Sequence, residues 1–151
     1  MEKIQLTNES MILLDIDETS KEKVIKKIAE TINKQGILEN YTEFEKALFA
    51  REDIGATAVG YNFGLPHGKS KTVKKPAVAF ARLKNPIIWA TEDDEEEEAK
   101  YVFMIAIPDS QAGNEHINIL VNLSKKILDD EFREKLVSVK NEVEAVNLIN
   151  S

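Results

Sequence analysis

The segment Tyr101-Val102-Phe103-Met104-Ile105-Ala106-Ile107-Pro108 is apolar at nearly every position and ends on a proline. A strand with one wet face alternates apolar and polar residues, whereas a strand buried on both faces does not. The segment therefore reads as a central strand covered on both sides. Upstream, residues 76–83 alternate and then run apolar, as a second buried strand should. Asn85-Pro86 is expected to break that strand, leaving Ile87-Ile88-Trp89 as a short bulky piece in which Trp89 packs. Downstream, Ala112-Gly113 opens a helix with Ile117, Leu120, Val121 and Ser124 at i, i+3, i+4 and i+7. Two shorter helices are expected around residues 132–137 and 143–149.

Toward the N-terminus, Met11-Ile12-Leu13-Leu14 reads as a short strand or turn leading to the first helix. Thr19 or Ser20 caps that helix, with Glu22 in its first turn. Val24, Ile25, Ile28 and Ile32 recur at helical spacing until Gly36 stops the run. A second helix is expected to start at Thr42, with Glu45 as capping-box partner, and to bury Phe44 and Leu48. Arg51-Glu52 then lie at or just past its end. Strands alternating with helices imply an α/β fold. The expectation is one layered domain over residues 1–151, a mixed and mostly parallel sheet of about five strands with helices on both faces.

At 151 residues the chain is long enough to bury roughly 68–70 % of its unfolded surface as a single domain. No apolar run approaches the roughly 18–20 residues that span a bilayer, and no signal-peptide pattern is read at the N-terminus. The chain has no cysteine, which removes disulfides and thiolate metal sites and fits the cytoplasm. Net charge is −7, and residues 92–98 form an unbroken run of acids against which the rest of the chain is balanced. Two readings of that run stand: a solvated loop between strands, or a rim that steers a basic partner. Nucleic acid is excluded, since no basic stripe with interleaved aromatics occurs. A Ser–His–Asp hydrolase is poorly supported without a Gly-x-Ser-x-Gly elbow, and a metal site is improbable with two histidines.

The chemistry concentrates at Gly64-Leu65-Pro66-His67-Gly68. Pro66 fixes its own φ and biases Leu65 toward extended backbone, while Gly68 removes a Cβ that would crowd an approach to the ring. A flexible Gly55–Gly60 stretch precedes it as a short strand entering a tight loop. Such a loop suits presenting one imidazole to a large partner. An imidazole with an ordinary pKa near 6.5 is a neutral nucleophile at cytosolic pH. Phosphoryl transfer to it asks for positioning and for charge stabilisation around three oxygens, which loop N–H groups, a hydroxyl such as Thr57 and one planar guanidinium can supply. Arg51 has two readings, a cation favourable to its helix dipole or a phosphate ligand that holds two oxygens at once. His116, a few residues into a helix that follows a strand's carboxyl end, also has two: a surface or packing residue, or a group in the crevice where α/β sheets hold ligands.

Arg51-Glu52, the Gly/Thr-rich strand, Pro66-His67-Gly68, Lys74-Lys75-Pro76 and Gly113-Asn114-Glu115-His116 followed by a helical run resemble, in this order and over nearly the whole chain, a known family. It is the IIA component of the bacterial sugar phosphotransferase system, of the fructose–mannitol type. The resemblance implies that His67 is phosphorylated, on Nε2, with Arg51 and His116 as catalytic supports that bind the phosphoryl group. Thr57 is a weaker phosphate-binding candidate. Many relatives carry a histidine where this chain has Tyr61, which is left to donate a hydrogen bond or to pack. The implied function is a cytoplasmic phosphocarrier, accepting a phosphoryl group from the histidine phosphocarrier HPr and passing it to an EIIB component during sugar uptake. Lys74-Lys75-Pro76 and Ala81-Arg82-Leu83-Lys84 favour fructose-type sugars within the family pattern, with mannitol or another hexitol as the alternative. No metal or organic cofactor is implied, and the membrane part would belong to a separate chain. Two rivals stand beside it, a nitrogen-regulatory signalling protein of the same fold and a non-catalytic binding module whose histidines are structural.

Overall fold

The computed structural model describes residues 7–92, 94–109 and 114–150, with the side chains of 114–117 outside that description. Among the described residues six strands and five α-helices follow one another: β1 (Ile12–Ile16), α1 (Lys21–Asn33), α2 (Tyr41–Ile54), β2 (Ala58–Gly60), β3 (Phe63–Gly64), β4 (His67–Ser70), β5 (Ala77–Glu92), β6 (Glu95–Pro108), α3 (Asn114–Leu128), α4 (Asp130–Ser138) and α5 (Glu142–Ile149). The sheet order is β1-β5-β6-β3-β2, and β4 also pairs with β6. The pairings of β1 with β5 and of β3 and β4 with β6 are parallel; the long β5–β6 pair is antiparallel. The sheet is thus mixed, as expected, and has six strands among the described residues.

Residues 101–108 form the buried second half of β6, covered on both faces as their composition predicts. Its even-numbered residues Val102, Met104 and Ala106 join Ile25, Ile28, Phe44 and Leu48 under α1 and α2. Its odd-numbered residues Tyr101, Phe103 and Ile105 pack with Ile119, Leu123, Phe132 and Ile149 under α3, α4 and α5. The buried stripe of α3 is therefore Ile119, Leu123 and Ile127, while Val121 is 46 % exposed and Leu120 only half-buried. That displaces the expected stripe by a fraction of a turn; the side chain of Ile117 lies outside the described residues.

Ser20 caps α1, its hydroxyl accepting the Lys23 N–H at 3.4 Å. The cap of α2 is Asn40 and not Thr42: its side-chain oxygen accepts the Glu43 N–H at 3.2 Å. Asparagine already has the extended backbone a cap requires (φ −145°), so the helix starts two residues earlier. It also ends later, at Ile54, which places Arg51 and Glu52 within its last turn.

Two expectations fail on β5. Asn85-Pro86 does not end it; the strand runs on to Glu92 through a register irregularity between Arg82 and Ile87. A bulge absorbs the missing proline N–H without ending the pairing. The acidic run is accordingly not a loop but the distal part of an antiparallel arm, with Glu92 opposite Glu95 and Thr91 opposite Glu96. The arm turns at Asp94 (φ 66°); Asp93 lies outside the described residues. Ile87, Trp89 and Ala99 bury its root in the α1–α2 face, so packing there sustains a strand that its charges oppose.

Candidate functional site

Both β3 and β4 lie against the same edge of β6, one after the other: Phe63-Gly64 opposite Tyr101-Val102, then His67 opposite Ile105 and Gly68 opposite Ala106. Leu65-Pro66 interrupts what is otherwise one strand. Proline offers no N–H, and its carbonyl accepts the Ile105 N–H at 3.1 Å. Leu65 steps out of the ladder: its N–H donates to the Thr57 carbonyl at 2.8 Å, and its own carbonyl meets Nδ1 of His67 at 2.9 Å. A carbonyl can only accept, so Nδ1 carries the ring proton in that contact and Nε2 holds the lone pair.

The register also decides the face. His67 shares the face of its partner Ile105, which is the face α3 covers, and it is half-buried. Gly68 takes the opposite face, where a Cβ would come within 3.0 Å of Phe44 and 3.3 Å of Leu48. The glycine thus admits α2 to the sheet rather than a partner to the ring. His116 is the third residue of α3, on the helix that covers the face of His67. Its side chain lies outside the described residues.

Arg51 is half-buried in the last turn of α2, and its guanidinium Nη1 donates to the Gly55 carbonyl at 2.8 Å. The loop it holds carries Thr57, which is 6 % exposed. Thr57 gives its hydroxyl proton to Glu52 and its backbone N–H to the same carboxylate at 3.2 Å, while its oxygen accepts the indole N–H of Trp89 at 3.2 Å. A hydroxyl has one proton, and this one is committed to Glu52.

Lys21 and the Leu65 carbonyl are parts of the site that the sequence did not mark, and Glu52 was marked only as the neighbour of Arg51, without a role of its own. Lys21 pairs with Glu52 at 2.7 Å across 31 residues of chain, and Trp89 reaches Thr57 across 32. Neither leaves a local spacing to read. The same indole also fills the space beside Gly64, where a Cβ would sit 2.7 Å from it.

Tyr61 and Asn62, at φ 56° and 67°, form the β2–β3 turn, whose end is bound by Lys100 and Tyr101 through the Asn62 carbonyl. That sets Tyr61 toward the start of β6, away from the Ile105 level of His67. Its ring packs beneath Arg133, whose guanidinium carbon is 4.0 Å from the ring centroid. Arg82 is likewise structural. It donates to both carboxylate oxygens of Asp15, at 2.8 and 2.9 Å, and to the carbonyls of Leu136, Val137 and Val139 that end α4.

A family profile described as "Phosphoenolpyruvate-dependent sugar phosphotransferase system, EIIA 2" matches residues 5–151. The chain belongs to this family. EIIA domains are phosphotransferase components. The chain is 31 % identical to multiphosphoryl transfer protein 2 of Escherichia coli over 88 % of its own length and 15 % of that protein's. It is 33 % identical to the fructose-specific EIIA component of Haloferax volcanii, over 90 % of this chain and 86 % of the other. It spans 15 % to 22 % of the length of three of the curated relatives it matches. Among solved structures, the nitrogen regulatory protein IIA-Ntr of Neisseria meningitidis superposes with a TM-score of 0.85 at 26 % identity, covering 95 % of this chain and 96 % of that one. The complex of mannitol enzyme IIA with phosphorylated enzyme IIB from Escherichia coli gives 0.78 at 26 %, over 95 % and 96 %. No helix among the described residues is long and apolar enough to cross a membrane.

Proposed function

We propose that this EIIA chain works in the cytoplasm as a phosphohistidine carrier, taking a phosphoryl group from HPr onto Nε2 of His67 and passing it to the EIIB component of a fructose-type permease. The observation that carries the reading is the 2.9 Å contact between Nδ1 and the Leu65 carbonyl. It holds the ring in the tautomer whose Nε2 lone pair can attack phosphorus. In the step, a P–N bond forms at Nε2 as the donor's P–N bond breaks, and the departing imidazole keeps the bonding pair. The proton on Nδ1 stays against Leu65, so the phosphorylated ring is cationic beside a carbonyl and an anionic phosphoryl group. Protonation of that ring is what makes it a good leaving group in the second transfer.

Arg51 supports the reading from the end of α2, its remaining N–H groups assigned to two phosphoryl oxygens. His116 is assigned a third oxygen from the first turn of α3. Thr57 contributes through the loop it anchors, because its hydroxyl proton is already given away. The Arg82 guanidinium is itself engaged with Asp15 and the end of α4. The relatives' names support the fructose assignment.

Incubation with phosphoenolpyruvate, enzyme I and HPr, read by intact mass, tests acceptance. Addition of a fructose-type EIIBC permease then tests delivery. The expected result is one phosphoryl group per chain, discharged to sugar when the permease is present. Acceptance without any sugar phosphorylation would mark the nitrogen-regulatory branch, and no acceptance would mark a binding module.

A further inference from the structure

Glu52 follows Arg51 on α2, and its side chain is only 6 % exposed. The phosphocarrier reading makes no use of it. A carboxylate withdrawn this far from water is costly unless it is paired and hydrogen-bonded, and this one is both. Lys21 stands 2.7 Å away, and Thr57 donates both its N–H and its hydroxyl. Lys21 is itself held in place: its ammonium donates to the Trp89 carbonyl at 2.8 Å and lies 4.9 Å from the indole centroid. Trp89 closes the circuit by donating its indole N–H to Thr57. Lys21 of α1, Glu52 of α2 and Trp89 of β5 therefore form one circuit with Thr57 in the loop after α2.

What Thr57 holds is the backbone behind the nucleophile. Its carbonyl fixes Leu65 through the Leu65 N–H, and the Leu65 carbonyl faces Nδ1 of His67. We propose that Glu52 is a positioning residue for His67, setting the tautomer and orientation of the ring through Thr57 and Leu65 without touching the phosphoryl group. Lys21 has a second part in this. It neutralises Glu52 from the α1 side, so that no bare carboxylate competes with an incoming phosphoryl group for the neighbouring Arg51. The inference rests on His67 being the acceptor, yet its first readout needs no phosphorylation.

The test uses the full chain, unphosphorylated and 15N-labelled in its imidazoles, with long-range 1H–15N correlation to show which ring nitrogen of neutral His67 bears the proton. The wild type is expected to show Nδ1–H. Glu52→Gln is expected to show mixed tautomers, and to accept phosphoryl from phospho-HPr about tenfold more slowly at saturating donor. The half-saturating HPr concentration should stay within about twofold, because the docking surface is intact. Thr57→Val should behave alike, with Thr57→Ser restoring most of the loss. Fluorescence of Trp89, the single tryptophan, reports whether each variant is folded. If Glu52→Gln does not fold, the Thr57 pair decides. Folded variants that keep the wild-type tautomer and rate overturn the proposal, and so does a slow Thr57→Val whose tautomer is unchanged, since that would mean direct contact with phosphate. A tautomer that responds to Glu52 in a chain that never accepts phosphoryl supports positioning and overturns the carrier reading alone.

Discussion

Gly64 and Gly68 bracket the histidine, and side chains from distant elements fill the space where each lacks a Cβ. At Gly64 the intruder is the Trp89 indole, with ring atoms 2.7, 2.8 and 3.0 Å from an ideal Cβ. A buried indole is rigid and cannot step aside, so Gly64→Ala should lower stability by about 1–3 kcal/mol. Denaturant unfolding checks this, and a shifted Trp89 emission would show that the indole had moved. Proline and glycine around His67 were legible as a presenting loop. The physical cause of Gly68 was not, because the Phe44 and Leu48 that need the room lie some twenty residues back on α2. The part played by Glu52 and Lys21 was hidden for the same reason. A charged residue on a helix reads as solvated until the fold brings its partner to it.

Among the elements, the end of α4 is tied down by a single side chain of β5. Arg82 donates to three carbonyls where α4 ends and to Asp15, at a β1 bulge where Asp15 adopts φ 56°. Asp15 tolerates this left-handed backbone, and the bulge aims its carboxylate at Arg82. Arg82→Met keeps the apolar stem and strands those carbonyls, so it should cost about 3 kcal/mol. A lower urea midpoint at unchanged slope is the expected observation. The β5–β6 arm is the opposite case, a strand pair opposed by its own charges. Glu92 and Glu95 stand directly across from each other, a repulsion worth about 0.2–1 kcal/mol. Glu92→Lys should therefore raise amide protection along residues 87–92, by an amount that shrinks with added salt. Periodicity revealed both strands, but it could not show that the arm continues past Asn85-Pro86. The decisive contacts, Ile87 and Trp89 against α1 and α2, are tertiary.

For the whole molecule, the layered α/β architecture was readable because each layer writes its own period: buried runs for the strands, a 3.6-residue stripe for α1, proline or glycine at the ends. The antiparallel centre was not readable, since a run buried on both faces looks the same in either direction. Acid stability is set partly by Asp15, whose carboxyl the Arg82 hydrogen bonds hold below its ordinary value of 3.8, with the Arg82 charge adding to this and burial opposing it. A depressed carboxyl stabilises the fold above its unfolded value, and that contribution is lost as pH falls through the folded one. The melting temperature should thus drop below about pH 4, and drop less steeply in Asp15→Asn, which has no such proton to take up. The proposed function draws on the same layering: the register sets His67 on the α3 face with Nδ1 against the Leu65 carbonyl, and the proposal assigns Nε2 to the phosphoryl group. The most direct measurement is 1H–15N correlation of the imidazoles after charging the chain through phosphoenolpyruvate, enzyme I and HPr. A single phosphorus–nitrogen bond at Nε2 of His67, with no label on His67→Ala, is the expected result. Phosphorus at Nδ1, on His116, or undiminished in His67→Ala would contradict it.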